Sequence, residues 1–235
     1  MVLLTGDTHR NFKHIAELCL KYSFKKSDVL VILGDVAINY FGDPEDKKVK
    51  TLLNTLDITI LSIYGNHEMR PEYIPTYNEI EWKGGIVFSE SKFPNLVFAK
   101  DGEIYELAGK RCIAIGGAYS VDKNFRIVND WGWWPYEQPS DEIKKHVEAN
   151  LDSVNWNVDV VLSHTCPFKY IPHERLIPNI DPKRIDNGTE KWLDTIEERL
   201  TYKHWYCGHF HCSKVVNNEN SSIRFMYEDF IELGM

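Results

Sequence analysis

Val2-Leu3-Leu4-Thr5-Gly6-Asp7 opens the sequence. The same shape returns at Val29-Leu30-Val31-Ile32-Leu33-Gly34-Asp35 and at Ile58-Thr59-Ile60-Leu61-Ser62-Ile63-Tyr64-Gly65-Asn66-His67. Each is a short apolar run closed by glycine and a polar side chain. Without alternating polar positions to mark a solvent face, such runs predict strands buried on both sides. Between the first two, Phe12, Ile15, Cys19 and Tyr22 recur at helical spacing behind Asn11, which can cap the helix. Between the second and third, residues 44–56 predict another helix, with acidic side chains in the first turn where they complement its dipole. Strand, helix, strand, helix, strand predicts an α/β domain with a mostly parallel sheet covered by helices.

Outward from this core the signals weaken and then recover. Residues 71–95 are rich in Pro, Glu and Gly and read as loop, and 96–115 as a hairpin or meander. Residues 121–139 set Trp131, Trp133, Trp134 and Tyr136 among Gly and Pro; packing, as a lid, is favoured over stacking on a base. A helix is predicted over 141–151 behind Ser140, and a strand over 158–162 ending at Ser163-His164. A helix over 189–200 follows, then a strand over 203–207 ending at Gly208-His209-Phe210-His211. Residues 213–233 read as two or three antiparallel strands. At 235 residues the expectation is one domain, 1–235, with a lid or insertion within 70–157.

Composition narrows the function classes. The formal net charge of -8 disfavours general binding to nucleic-acid backbones. No apolar stretch approaches the roughly 20 residues that span a bilayer, so no membrane partner is expected. The start carries no basic n-region, and the five cysteines form no CxxC pair, which points to a reducing cytoplasm.

The chemistry lies at the strand ends. Gly6-Asp7-Thr8-His9, Gly34-Asp35, Gly65-Asn66-His67-Glu68, Ser163-His164 and Gly208-His209-Phe210-His211 place each polar group just past a predicted strand, where open α/β sheets bind ligands. Glycine permits sharp turns and close approach. Carboxylate, amide and imidazole without thiolate suit Mn, Fe, Zn or Ni. There are enough ligands for two ions sharing one carboxylate, a clamp for in-line phosphoryl displacement with ions about 3.5–4 Å apart.

In order and spacing, GDxH, GD, GNHE, H and GHxH resemble the calcineurin-like metallophosphoesterase superfamily, over residues 6–211. The resemblance implies a four-layer α/β/β/α sandwich with two mixed β-sheets. It implies a hydrolase that cleaves phosphodiesters or phosphomonoesters through a metal-bridging hydroxide at a dinuclear site. Asp7, His9 and His211 would bind the first metal; Asp35 would bridge; Asn66, His164 and His209 would complete the second. His67 would be catalytic, hydrogen-bonding the phosphoryl oxygen or protonating the leaving group. The substrate expected is a phosphate ester, a nucleotide included.

The sequence departs from the protein Ser/Thr phosphatase branch. Ile38 stands where that branch has the Asp that orients the catalytic His, and Asn39 where it has a phosphate-gripping Arg. A general phosphoesterase is therefore favoured over a protein phosphatase, a nuclease or a non-catalytic scaffold on the same fold. Arg10, Lys123 and Arg126 are candidates for gripping substrate, since a guanidinium can hold phosphate oxygens in bidentate fashion. Arg70 and His173 could also reach the site.

Overall fold

The computed structural model describes residues 1–42, 44–175 and 184–234. The opening runs form β1 (Val2–Thr5), β2 (Val29–Ile32) and β3 (Thr59–Ser62), mutually parallel and in register, with α1 (Lys13–Lys21) and α2 (Glu45–Leu53) as the crossovers. Thr5 lies level with Ile32 and Ile32 with Ser62, so the loops after these strands emerge side by side.

Residues 71–95 differ from expectation. They contain β4 (Asn78–Trp82) and β5 (Gly85–Ser89), an antiparallel hairpin joined to the sheet through β6 (Leu96–Ala99). Asn78-Glu79-Ile80-Glu81 is exposed throughout. Charges on an exposed edge discourage pairing with another chain, and they also hide the strand from hydrophobicity patterns. β6 runs parallel to β3, and β7 (Ile104–Leu107) and β8 (Lys110–Ile115) form a hairpin in a second sheet. The segment expected to carry a lid or insertion thus supplies strands to both sheets. Of it, 116–139 runs outside the strands and carries the six-residue α3 (Lys123–Val128).

The second half follows the sequence more closely. In α4 (Asp141–Ser153) the Ser140 hydroxyl accepts from the Ile143 amide at 3.3 Å, capping the helix. β9 (Val160–Ser163), α5 (Gly188–Glu197) and β10 (His204–Cys207) follow. The tail needs correction. β11 (Lys214–Asn217) is antiparallel to β12 (Ser222–Phe225), but β12 runs parallel to β10, and β13 (Ile231–Glu232) crosses to pair antiparallel with β1. Residue types in a strand do not name its partner.

The result is a seven-stranded mixed sheet, ordered β13-β1-β2-β3-β6-β5-β4, and a six-stranded mixed sheet, β11-β12-β10-β9-β8-β7. Three apolar cores show how they stack. Val29, Val31 and Leu33 face Ala114, Val160 and Leu162 between the sheets. Leu30 and Ile32 point the other way, onto Ile15 and Leu53 of the first helices. Val161 and Trp205 pack on Val147, Leu151, Leu193 and Ile196 of α4 and α5. Three cores require four layers, helix on sheet on sheet on helix. This is why the strands are apolar on both faces, each buried Val, Leu or Ile contributing about 1.5–3 kcal/mol. Arg70 belongs to this framework: it is buried, paired with Asp101 at 2.7 Å and set over the Tyr64 ring. No helix among the described residues is long and apolar enough to cross a membrane.

Candidate functional site

Both sheets contribute to one place. Asp7 and His9 follow β1, Asp35 follows β2, and Asn66 and His67 follow β3. From the other sheet, His164 follows β9, while His209 and His211 follow β10. Backbone bonds tie the loops together: the His9 amide donates to the Asp35 carbonyl at 2.8 Å, and the Gly208 amide to the His164 carbonyl at 2.9 Å. The His209 amide donates to Asp7 Oδ1 at 2.9 Å, and the His67 amide to Asp35 Oδ1 at 2.8 Å.

Two glycines make this convergence possible. A Cβ on Gly65 would lie 2.0 Å from Asp35 Oδ1, and one on Gly208 would lie 2.1 Å from Asp7 Oδ1. No real side chain tolerates such contacts. The ligand backbone is itself unusual. His9, Asp35, His209 and His211 all have positive φ, between 43° and 65°. L-residues adopt that region at a cost, and it concentrates at functional sites where the surroundings enforce it.

The donor set fits metal ions. His164 Nδ1 lies 2.9 Å from the Leu33 carbonyl, which can only accept, so Nδ1 carries a proton. In the neutral ring Nε2 then presents a lone pair, and it faces Asn66 Oδ1 at 2.8 Å. The Asn66 amide nitrogen donates to Ser120 Oγ at 2.9 Å, and in this orientation the amide oxygen is the atom turned to the ring. Two lone pairs that face each other in this way suit a cation shared between them. His9 Nε2 and His211 Nε2 converge at 2.8 Å, with Asp7 Oδ2 3.8 Å from the first and 3.3 Å from the second. Asp35 reaches in both directions, Oδ2 lying 3.7 Å from His9 Nε2 and Oδ1 3.6 Å from His164 Nε2. Among the described residues, three groups of His and Asp ligand atoms are close enough to share an ion: Asp7, His9 and His211; His9, Asp35 and His67; and Asp7, Asp35 and His164.

Electrostatics prepare the same groups. Burial opposes the charge on Asp35, but His67, His164 and His9 outweigh it and hold the carboxyl below the usual carboxylate range. Burial, helped by neighbouring His164, pushes His209 down to about 3, leaving a neutral ring with a free lone pair. The hydrogen bond to Asp7 raises His211. Glu68 is fully buried, and burial, with the Asp35 charge, pushes it well above the carboxylate range.

His67 differs from its neighbours. The Arg126 guanidinium hydrogen-bonds to its ring, with Nη2 against Nδ1 and 3.4 Å from Nε2. A cation already held against the ring argues against His67 as a metal ligand. Burial and the Arg126 charge lower His67 against the opposing pull of Asp35. Arg126 is buried and is held by Asp122 at 2.8 Å, the Gly132 carbonyl at 3.0 Å and the Tyr40 hydroxyl at 3.3 Å. Neither Arg10 nor Lys123 is brought to the cleft. Arg10 turns to Asp46 at 2.5 Å and stacks over Phe41, while Lys123 lies over the Trp133 ring. The tryptophans pack away from it too: Trp134 against Tyr40, Trp131 against Phe125, and Trp133 hydrogen-bonded to Glu137.

A cleft of about 350 Å³ opens beside the cluster. His9, Asp35, Asn66, His67, His209 and His211 line it, together with the apolar Phe168, Ile171, Ile185 and Phe210. His173 also lines it, with Arg175, Asp122 and Glu190, which were not singled out in the sequence. The spacing of Asp122 and Arg126, four apart on a short helix, is the one local trace of that pair.

Glu190 yields a stability test. Its Oε1 accepts from the Thr165 hydroxyl at 2.9 Å, and its Oε2 has no partner among the described residues. Burial pushes the carboxyl from 4.5 up to about 7. The folded state therefore holds this proton more tightly than the unfolded state. That contribution is complete below pH 4.5 and is lost as pH rises through about 7. Glu190→Gln removes the titration. In chelated protein the variant is expected to gain on the parent across this window, by about 3 kcal/mol at the upper end. A difference in melting temperature that stays flat with pH would refute the assignment.

Comparison with known proteins agrees with this architecture. The sequence profile of the calcineurin-like phosphoesterases matches residues 1–213. No curated protein matches the sequence. Among solved structures, phosphopantetheinyl hydrolase from Mycobacterium tuberculosis aligns with a TM-score of 0.53 and 15% identity, over 97% of this chain and 89% of that one. A second structure gives 0.52 and 15%, over 95% and 88%. At these identities the likeness speaks to fold alone.

Proposed function

Because the chain belongs to the calcineurin-like phosphoesterase family, we propose that it hydrolyses phosphate esters at a dinuclear metal site. Asp7, His9 and His211 would hold one ion, Asn66, His164 and His209 the other, and Asp35 would bridge. The observation that carries this reading is the set of facing donors, above all His164 Nε2 against Asn66 Oδ1. Oxygen and imidazole donors suit Mn, Fe, Zn or Ni. When bound, two such ions lower the pKa of water and offset the charge that builds on the phosphoryl oxygens.

The chain's own groups supply the rest. His67, not needed as a ligand, reaches the phosphoryl oxygen or the leaving group. The apolar lining of Phe168, Ile171, Ile185 and Phe210 receives the organic part of the substrate and excludes water. A cleft of this size supports a small ester, nucleotides included, over a polymer. The net charge of -8 favours the same choice. Five unpaired cysteines fit a cytoplasmic setting.

The test is hydrolysis of bis-p-nitrophenyl phosphate and p-nitrophenyl phosphate by chelated protein, before and after Mn²⁺ is restored. Turnover that returns with the metal is expected, and the faster ester reports the diester or monoester class. Silence on both, in protein that measurably carries two ions, would overturn the proposal.

A further inference from the structure

The protein Ser/Thr phosphatase branch orients its catalytic histidine with an aspartate. Here that position is Ile38, which is fully buried in the apolar core around α1 and α2. Among the described residues of that loop the carboxylate near His67 is Asp35, and its Oδ1 is engaged by the His67 backbone amide. The ring nevertheless has a side-chain partner, from a distant part of the chain and of opposite charge. We propose that Arg126 is the positioning residue for His67, donating to Nδ1 and so directing Nε2–H into the cleft. The inference rests on the phosphoesterase reading for its catalytic meaning.

The geometry supports this over a grip on substrate. Arginine has five donors and no acceptor, so any hydrogen bond between it and an imidazole nitrogen makes that nitrogen the acceptor. With Nδ1 accepting, the neutral ring carries its proton on Nε2. Nη2 lies nearer Nδ1 than Nε2, which is 3.4 Å away, so the contact favours this tautomer, with the ring nitrogens in the roles opposite to those a carboxylate would set. A carboxylate at Nδ1 would draw the proton to that side and leave Nε2 as an acceptor until the ring is protonated. A guanidinium makes Nε2 a donor from the start, as required for hydrogen bonding to a phosphoryl oxygen.

The guanidinium is itself held on several sides. Nε donates to Asp122, and Nη1 to the Gly132 carbonyl and the Tyr40 hydroxyl. Tyr40 is braced edge-on by Trp134. Arg126 is 7% exposed and does not line the cleft, whereas His67 and Asp122 do. The aromatic segment after α3 thereby gains a purpose, as the frame that holds Arg126 against the ring.

Two measurements test the inference. In metal-free protein, ¹⁵N imidazole spectra should show His67 as the Nε2–H tautomer, and Arg126→Ala should abolish that preference. An Nδ1–H ring in the parent protein would overturn the proposal whether or not any ester is turned over. The second is a double-mutant cycle on the aryl ester that the protein hydrolyses. Arg126→Ala should lower kcat by about a hundredfold, the scale of an ångström-sized misplacement, with little change in KM. In a His67→Ala background the same change should cost nothing further. Arg126→Lys, which keeps one donor, should restore part of the loss. A raised KM together with a full loss in the His67→Ala background would show Arg126 acting on substrate directly and would reject the positioning role. If the parent hydrolyses neither ester, the catalytic reading fails, while the spectra still decide whether Arg126 sets the ring.

Discussion

Asp35→Asn is expected to remove both metal ions together and to cut turnover by roughly a thousandfold or more, the scale of several kcal/mol of lost charge stabilisation. The reasons are geometric and electrostatic. The two carboxylate oxygens face different imidazoles, Oδ2 toward His9 and Oδ1 toward His164, so each half of the cluster depends on the same side chain. Asparagine replaces one oxygen with a donor NH₂ and deletes the negative charge that offsets the ions. Asp35 is buried, so no solvent charge compensates. The fold has less reason to suffer, because the His67 amide can still donate to an amide oxygen at the same position. Metal content by elemental analysis, read beside turnover, decides the matter. Loss of one ion with retention of the other would rule out the bridging role.

His67→Ala should give the complementary pattern. Turnover is expected to fall by about 10²–10⁴-fold, the usual contribution of a positioned proton-transfer or hydrogen-bonding group, while metal content stays near that of the parent. The difference from Asp35 follows from what each side chain touches. Asp35 meets three imidazoles and must be ionised; His67 meets a guanidinium, beside which a further cation would be repelled. Metal loss in His67→Ala would move His67 into the ligand set with His9 and Asp35, a grouping that distance alone permits.

The sequence disclosed the fold where burial left a mark on residue type. β1, β2 and β3 are legible because both faces are covered, which demands uninterrupted apolar runs. β4 is not, because an edge strand with Glu79 and Glu81 toward solvent resembles a loop. α3 is too short for helical periodicity to register, and the parallel partnership of β12 with β10 is decided by the rest of the sheet. The site divides in the same way. Asp7, Asp35, Asn66, His164 and His209 could be placed because each ends a readable strand. Arg126 could be marked only as a cation after a Gly-rich turn, since its contact with His67 spans 59 residues and leaves no local trace. Arg10 shows the reverse error. It follows His9 directly, yet its backbone, at φ 64°, and the nearby Asp46 carry its side chain elsewhere.

The glycines before the ligands are usually taken as local turn signals, but the closest atoms to Gly65 and Gly208 belong to other motifs. Gly65 leaves room for the carboxylate of Asp35, and Gly208 for that of Asp7, in the opposite sheet. These two motifs therefore each record a tertiary contact: the glycine is required by a side chain 30 or more residues away. The pieces are consequently not modular. Moving one onto another scaffold carries its ligand but leaves behind the reason for its glycine. Divergence at either carboxylate would relax the requirement on the partner glycine, so the two positions should be lost or kept as a pair.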